Sequence, residues 1–88
     1  MSKYIKLGTM LKEKRVSKGL TQMELATELG YSSPQFVSNW ERGMCSPALE
    51  SLPFLSKILN ISKKEIIDMV VEETRLELEK SFSGKSAL

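Results

Sequence analysis

Gly19-Leu20-Thr21-Gln22-Met23-Glu24-Leu25-Ala26 is the stretch that decides the fold. Thr21 and Glu24 have capping-box spacing: a hydroxyl and a carboxylate that each satisfy a free backbone N–H at a helix start. Leu25, Ala26 and Leu29 then make one apolar face, and Gly30 ends the helix after about two turns. Upstream, Leu7, Met10, Leu11 and Val16 predict a first helix over about 4–18, with Lys6, Lys12, Glu13 and Ser17 on its polar sides. Lys18-Gly19 suits its end, a basic last turn followed by a residue that accepts a left-handed backbone. Downstream, Ser33 is the expected N-cap of a third helix and Pro34 its first residue. That helix runs to Arg42 and stops at Gly43, with Val37 and Trp40 on one face.

The rest of the chain reads the same way. Met44 to Ser51 is an expected loop around Pro47. A fourth helix is expected from Leu52 or Pro53 to Leu59, with Phe54, Leu55, Ile58 and Leu59 apolar. Ser62-Lys63-Lys64-Glu65 is a second capping box, and the helical pattern after it continues to about Ser81. Residues 83–88 read as a frayed tail. Ile66-Ile67 and Val70-Val71 are β-branched pairs, but both lie among strong helix formers, so the expected fold class is all-α with five helices.

Composition narrows the function. A chain of 88 residues, 41% apolar and 27% charged, is one small domain or a domain plus a tail. A domain of this size buries roughly 60–65% of its unfolded surface, so a partner subunit would add to a thin stability margin. The net charge of +2 hides an asymmetry. Residues 1–64 carry 10 Lys and Arg against 5 Asp and Glu, whereas residues 65–88 carry 3 against 6. The head is suited to phosphate and the acidic helix to protein. The longest apolar run, Met69-Val70-Val71, cannot span a membrane, and Met1 to Lys6 is no signal peptide. One cysteine, Cys45, fits a reducing compartment, so a cytoplasmic protein is expected. There is no histidine, no paired-carboxylate cleft and no glycine-rich phosphate loop. No catalytic residue, metal or cofactor is expected.

Two short helices joined by a tight turn, the second polar on one side, form a helix-turn-helix arrangement. Such a second helix can enter the major groove while the first crosses the backbone. Many small bundles contain a similar pair, so detail matters. Leu7-Gly8, Leu11, Arg15, Lys18 to Gln22, Glu24 to Ala26, Leu29-Gly30, Val37-Ser38, Glu41 to Gly43, Pro47, Leu52, Leu55 and Leu59 supply it. Over 7–62 the chain closely resembles the lambda-repressor-like, Cro-type helix-turn-helix family, also called the xenobiotic-response-element family.

The resemblance implies roles. Gln22 matches a glutamine that contacts phosphate and braces the recognition helix. Gln35 matches the main base-reading position, and Asn39 lies one turn on; either amide can pair with N6 and N7 of adenine. Ser38 sits beside them. The alternative for all three is a solvated helix face. Phe36 either packs on a thymine methyl or covers the core. Arg15 and Glu41 match a buried ion pair that ties the first helix to the third. Arg42 resembles a phosphate contact, and backbone N–H groups of residues 43–46 are expected to face phosphate as well. The chain departs from the family pattern twice. The turn Tyr31-Ser32-Ser33-Pro34 is one residue longer, and Met44-Cys45 stand where basic residues are common. Phosphate binding is therefore expected to lean on Lys12, Lys14 and Lys57. Cys45 reads as incidental.

The fifth helix is apolar almost all round at Ile66, Ile67, Met69, Val70 and Val71, so it needs cover on more than one side. Ile67, Val71, Thr74, Leu78 and Phe82 step by 4, 3, 4 and 4, close to a coiled-coil seam. The expected dimer contacts are Ile67, Val70, Val71, Thr74 and Leu78; the alternative is a helix folded back on its own domain. Residues 1–64 are then a DNA-binding domain, 65–82 a dimerisation helix, and no ligand domain is expected. Two recognition helices about 34 Å apart would read a near-palindromic site on double-stranded DNA. The expected function is a homodimeric repressor. A different class remains open: an antitoxin or other interaction module whose last helix binds a partner protein.

Overall fold

A computed structural model describes residues 5–84. Over that range the chain is all-α: α1 (Ile5–Ser17), α2 (Gln22–Glu28), α3 (Gln35–Glu41), a 3-10 turn (Leu49–Ser51), α4 (Leu52–Leu59) and α5 (Lys63–Gly84). The expected start of α1 at Tyr4 and the tail at 85–88 lie outside the described residues. The capping box of α2 is closed in both directions. Thr21 Oγ1 accepts from the Glu24 N–H at 3.0 Å, and Glu24 Oε1 accepts from the Thr21 N–H at 2.8 Å. At α5 the Ser62 hydroxyl accepts from the Glu65 N–H at 3.0 Å.

Several boundaries differ from expectation. Pro34, at φ −81° and ψ 3°, caps α3 instead of opening it, and Ser33 Oγ accepts from the Gln35 N–H at only 3.4 Å. The longer turn spends Pro34 on its last bend, because a ψ near zero turns the chain before the helix begins. The loop before α4 contains the 3-10 turn at Leu49–Ser51. The fifth helix continues to Gly84, so residues 83 and 84 of the expected tail are helical. Val16 and Phe54, read as apolar-face residues, are exposed.

The core joins all five helices. Leu7, Leu11, Leu25, Val37, Leu55 and Leu59 are fully enclosed, and Trp40, Ile61 and Ile66 close it. Each such side chain contributes roughly 1.5–3 kcal/mol of burial. Val70 belongs to this core at 9% exposure, which removes it from the expected dimer contacts. Steps of 3 and 4 residues put Ile66, Val70 and Glu73 on the side of α5 that meets its own domain, while Ile67, Val71 and Leu78 face outward. Gly8 lets α1 approach the end of α3. A Cβ there would collide with the Trp40 carbonyl oxygen and lie 2.9 Å from that of Glu41. Among the described residues, no helix is long and apolar enough to cross a membrane.

Candidate nucleic-acid interface

Two sets of side chains position α3. On its inner side Val37 and Trp40 are buried. At its end Glu41 is held by an ion pair: Arg15 Nε donates to Glu41 Oε2 at 2.6 Å, and Arg15 Nη2 to Oε1 at 3.1 Å. The two side chains are only 10% and 3% exposed. Arg15 Nη1 also donates to the Leu20 carbonyl at 2.7 Å, which fixes the turn before α2. Gln22 Nε2 donates to Glu41 Oε1 at 2.9 Å. Arg15, Gln22 and Glu41 thus form one network that locks α1, α2 and α3 together. A carboxylate accepting several charge-assisted bonds has little freedom left.

The outer side of α3 carries the polar row. At about 100° per residue, the order around the helix is Ser38, Arg42, Gln35, Asn39, Phe36. Gln35 Nε2 donates to Asn39 Oδ1 at 3.0 Å, and Arg42 Nη2 donates to the same oxygen at 2.7 Å. Gln35 and Arg42 are exposed, whereas Ser38 and Asn39 are half-buried. Phe36 is 51% exposed and so does not cover the core. Its ring stacks on Tyr31 at 4.7 Å between centroids and 29° between planes. Tyr31 in turn meets Trp40 edge-on at 6.0 Å. Tyr31 therefore supplies an aromatic bracket between the core and Phe36.

The remaining expected contacts are more dispersed. Lys12 and Lys57 are exposed on α1 and α4, and Lys14 is half-buried on α1. The backbone after α3 corrects one expectation. The N–H groups of Gly43 and Met44 donate to the Trp40 and Asn39 carbonyls at 3.0 Å, so they close the helix end instead of facing phosphate. Gly43 sits there at φ 75°, a conformation that costs a side chain strain. Cys45 is a free, exposed thiol.

Along α5, Ile67 is 43% exposed, Val71 58%, Leu78 55% and Phe82 80%, with Thr74 half-buried between them. This stripe is flanked by surface pairs. The Asp68 hydrogen bond and charge raise the Lys64 pKa, and Glu72, then Glu79, raise that of Arg75. All of these groups are solvated, and such pairs stabilise little.

One buried acid has no counterpart in the expectations. Glu73, 5% exposed, accepts from the backbone N–H groups of Leu7 at 2.6 Å and Lys6 at 3.2 Å. It caps α1 from the far end of the chain. The available signal was spacing: Glu73 lies seven residues after Ile66 and three after Val70, a core position occupied by a charge.

The helix-turn-helix family matches residues 11–66, from the middle of α1 into the start of α5. The HTH-type transcriptional activator BcrR of Enterococcus faecalis is 35% identical over 79 residues. The match covers 83% of this chain but 38% of that protein, so the chain spans well under half of the relative's length. No solved structure matches.

Proposed function

The chain belongs to the helix-turn-helix family, and from that we propose that it is a sequence-specific, double-stranded-DNA-binding transcriptional regulator that works as a homodimer. One observation carries the reading. A row of hydrogen-bonding side chains, exposed Gln35 and Arg42 with half-buried Asn39 between them, stands on a helix whose opposite side is pinned by Trp40 and by the Arg15–Gln22–Glu41 network. A rigid helix with amides on its outer face suits base edges in the major groove. Gln35 and Asn39 read bases, with Ser38 at the margin. Arg42, Lys12, Lys14 and Lys57 contact phosphate, and Gln22 adds a phosphate contact to its bracing bond.

The dimer forms through the outer stripe of α5: Ile67, Val71, Thr74 and Leu78, with Phe82 at its end. Ile67, Val71, Leu78 and Phe82 are large apolar side chains exposed to water in the single chain, and a two-fold pair would cover both sets at once. Repression by occluding a promoter is the sign we propose. The E. faecalis relative is named an activator, and that property is its own. A promoter fused to a reporter decides the sign: falling output with added protein supports repression, and rising output overturns it.

A second reading, in which a different protein sits on α5, is favoured by a groove of about 540 Å3 between the 3-10 turn, α4 and α5. Leu49, Leu52, Pro53, Ile66 and Ile67 line it. Selection of bound duplexes from a random pool tests the leading reading. An enriched near-palindrome bound by a dimer supports it. A pool that stays random overturns it.

A further inference from the structure

Phe36 stacks on Tyr31 but is not itself part of the buried core. Half of its surface faces water, on the flank of α3 next to Asn39. The interior of the domain is closed beneath it by Tyr31 and Trp40, not by Phe36 itself. Covering the exposed half of the ring on binding is favourable. Yet the ring is held: it stacks on Tyr31 at 4.7 Å, and Tyr31 is set against the buried Trp40. A side chain already fixed in place loses little rotamer freedom on binding. An apolar, immobilised group beside two adenine-reading amides fits one feature of the major groove, the 5-methyl group of thymine. Every adenine in duplex DNA is paired with a thymine, and that methyl lies in the same groove as the N6 and N7 atoms an amide reads.

We propose that Phe36, braced by Tyr31, selects a thymine in each half-site by packing on its 5-methyl group, at the base pair whose adenine Asn39 or Gln35 reads. This rests on the DNA-binding reading above and goes beyond it in naming the chemical group recognised. The four-residue turn Tyr31-Ser32-Ser33-Pro34 then has a role in specificity. Its first residue is the platform on which the reading ring rests.

Uracil differs from thymine only by that methyl, so single replacement of each thymine in the selected site by deoxyuridine is the test. Affinity is read by fluorescence anisotropy at fixed salt. We expect one thymine per half-site to respond, with a loss of about fourfold for one buried methyl. The same replacement should have no effect on the Phe36→Ala protein. A second measurement needs no variant: 5-iodouracil at the responding position should photocrosslink to Phe36, located by mass spectrometry of the peptide. If specific binding exists and no thymine responds, the inference fails while the DNA reading stands. It fails equally if the response persists in Phe36→Ala, or if the crosslink falls elsewhere. If no duplex is bound at all, both fail.

Discussion

The Glu73 carboxylate on α5 caps α1 by accepting the Leu7 N–H at 2.6 Å. It also accepts the Lys6 N–H at 3.2 Å. The first N–H groups of any helix lack partners within it, and a negative charge there is favoured by the helix dipole. The helix that extends beyond the domain is thereby fastened to the first helix of the domain. Glu73→Ala leaves the Leu7 N–H buried without an acceptor. We expect a loss of about 1.5–3 kcal/mol, read from the urea midpoint at constant slope. Glu73→Gln keeps an acceptor and loses the charge, so it should cost about half as much. Equal stability of both variants and the parent would show that the cap contributes nothing.

The buried ion pair gives the second prediction. Arg15→Met strands Glu41, whose side chain is 3% exposed. That should cost about 3–5 kcal/mol, because the remaining charge keeps its desolvation penalty and loses its partner. Replacing both residues by Met should restore part of the loss but not all. The Leu20 carbonyl and the Gln22 amide each lose a bond in the double variant. The double variant should therefore be more stable than Arg15→Met and less stable than the parent. A double variant less stable than either single one would contradict this account.

These two charged contacts show what was legible in the sequence and what was not. The capping box at Thr21 and Glu24 could be read because both partners lie within one turn. The Arg15–Glu41 pair could be inferred because both side chains belong to a recurring pattern. Glu73 could not, because its partners are backbone N–H groups, and these look alike in every sequence. Val70 was ambiguous for a different reason. On a helix apolar all round, periodicity says that two faces are covered but not where one ends. Packing against the domain core puts Val70 on the inner face. The bend at Pro34 and the Tyr31–Phe36 stack both belong to the turn before α3, whose path depends on what it packs against.

The polar row makes a prediction about specificity against affinity. In the free protein Asn39 Oδ1 is occupied by Gln35 and Arg42. Pairing with adenine needs that oxygen to accept from N6 while the amide nitrogen donates to N7. If Asn39 reads adenine, the bonds within the row are exchanged for bonds to DNA. Asn39→Ala and Gln35→Ala should each relax the preference at one base pair per half-site by about 1–3 kcal/mol. Arg42→Ala should instead weaken all sequences alike and lower the slope of log affinity against log salt by about 1 for each phosphate it no longer neutralises. Titrations of matched and mismatched duplexes at three salt concentrations separate the two behaviours. An unchanged preference in both amide variants would remove α3 from the role of reader.

The last prediction separates the two faces of α5. Val71 and Leu78 are more than half exposed, at 58% and 55%, whereas Val70 is 9% exposed. Val71→Glu with Leu78→Glu places charges on the outer stripe and replaces no residue of the buried core. The variant should keep its helical circular dichroism and its urea midpoint at low protein concentration, yet sediment as a monomer. DNA affinity should fall steeply, because each half-site must then be bound alone. Val70→Ala should do the reverse. It opens a cavity between α5 and the domain and should cost about 1–3 kcal/mol of domain stability, while dimerisation of the folded protein persists. If the charged pair leaves the dimer intact, the interface is not this stripe. If Val70→Ala alone dissociates the dimer without lowering the stability of the monomer, the boundary between the core face and the contact face lies on the other side of Val70.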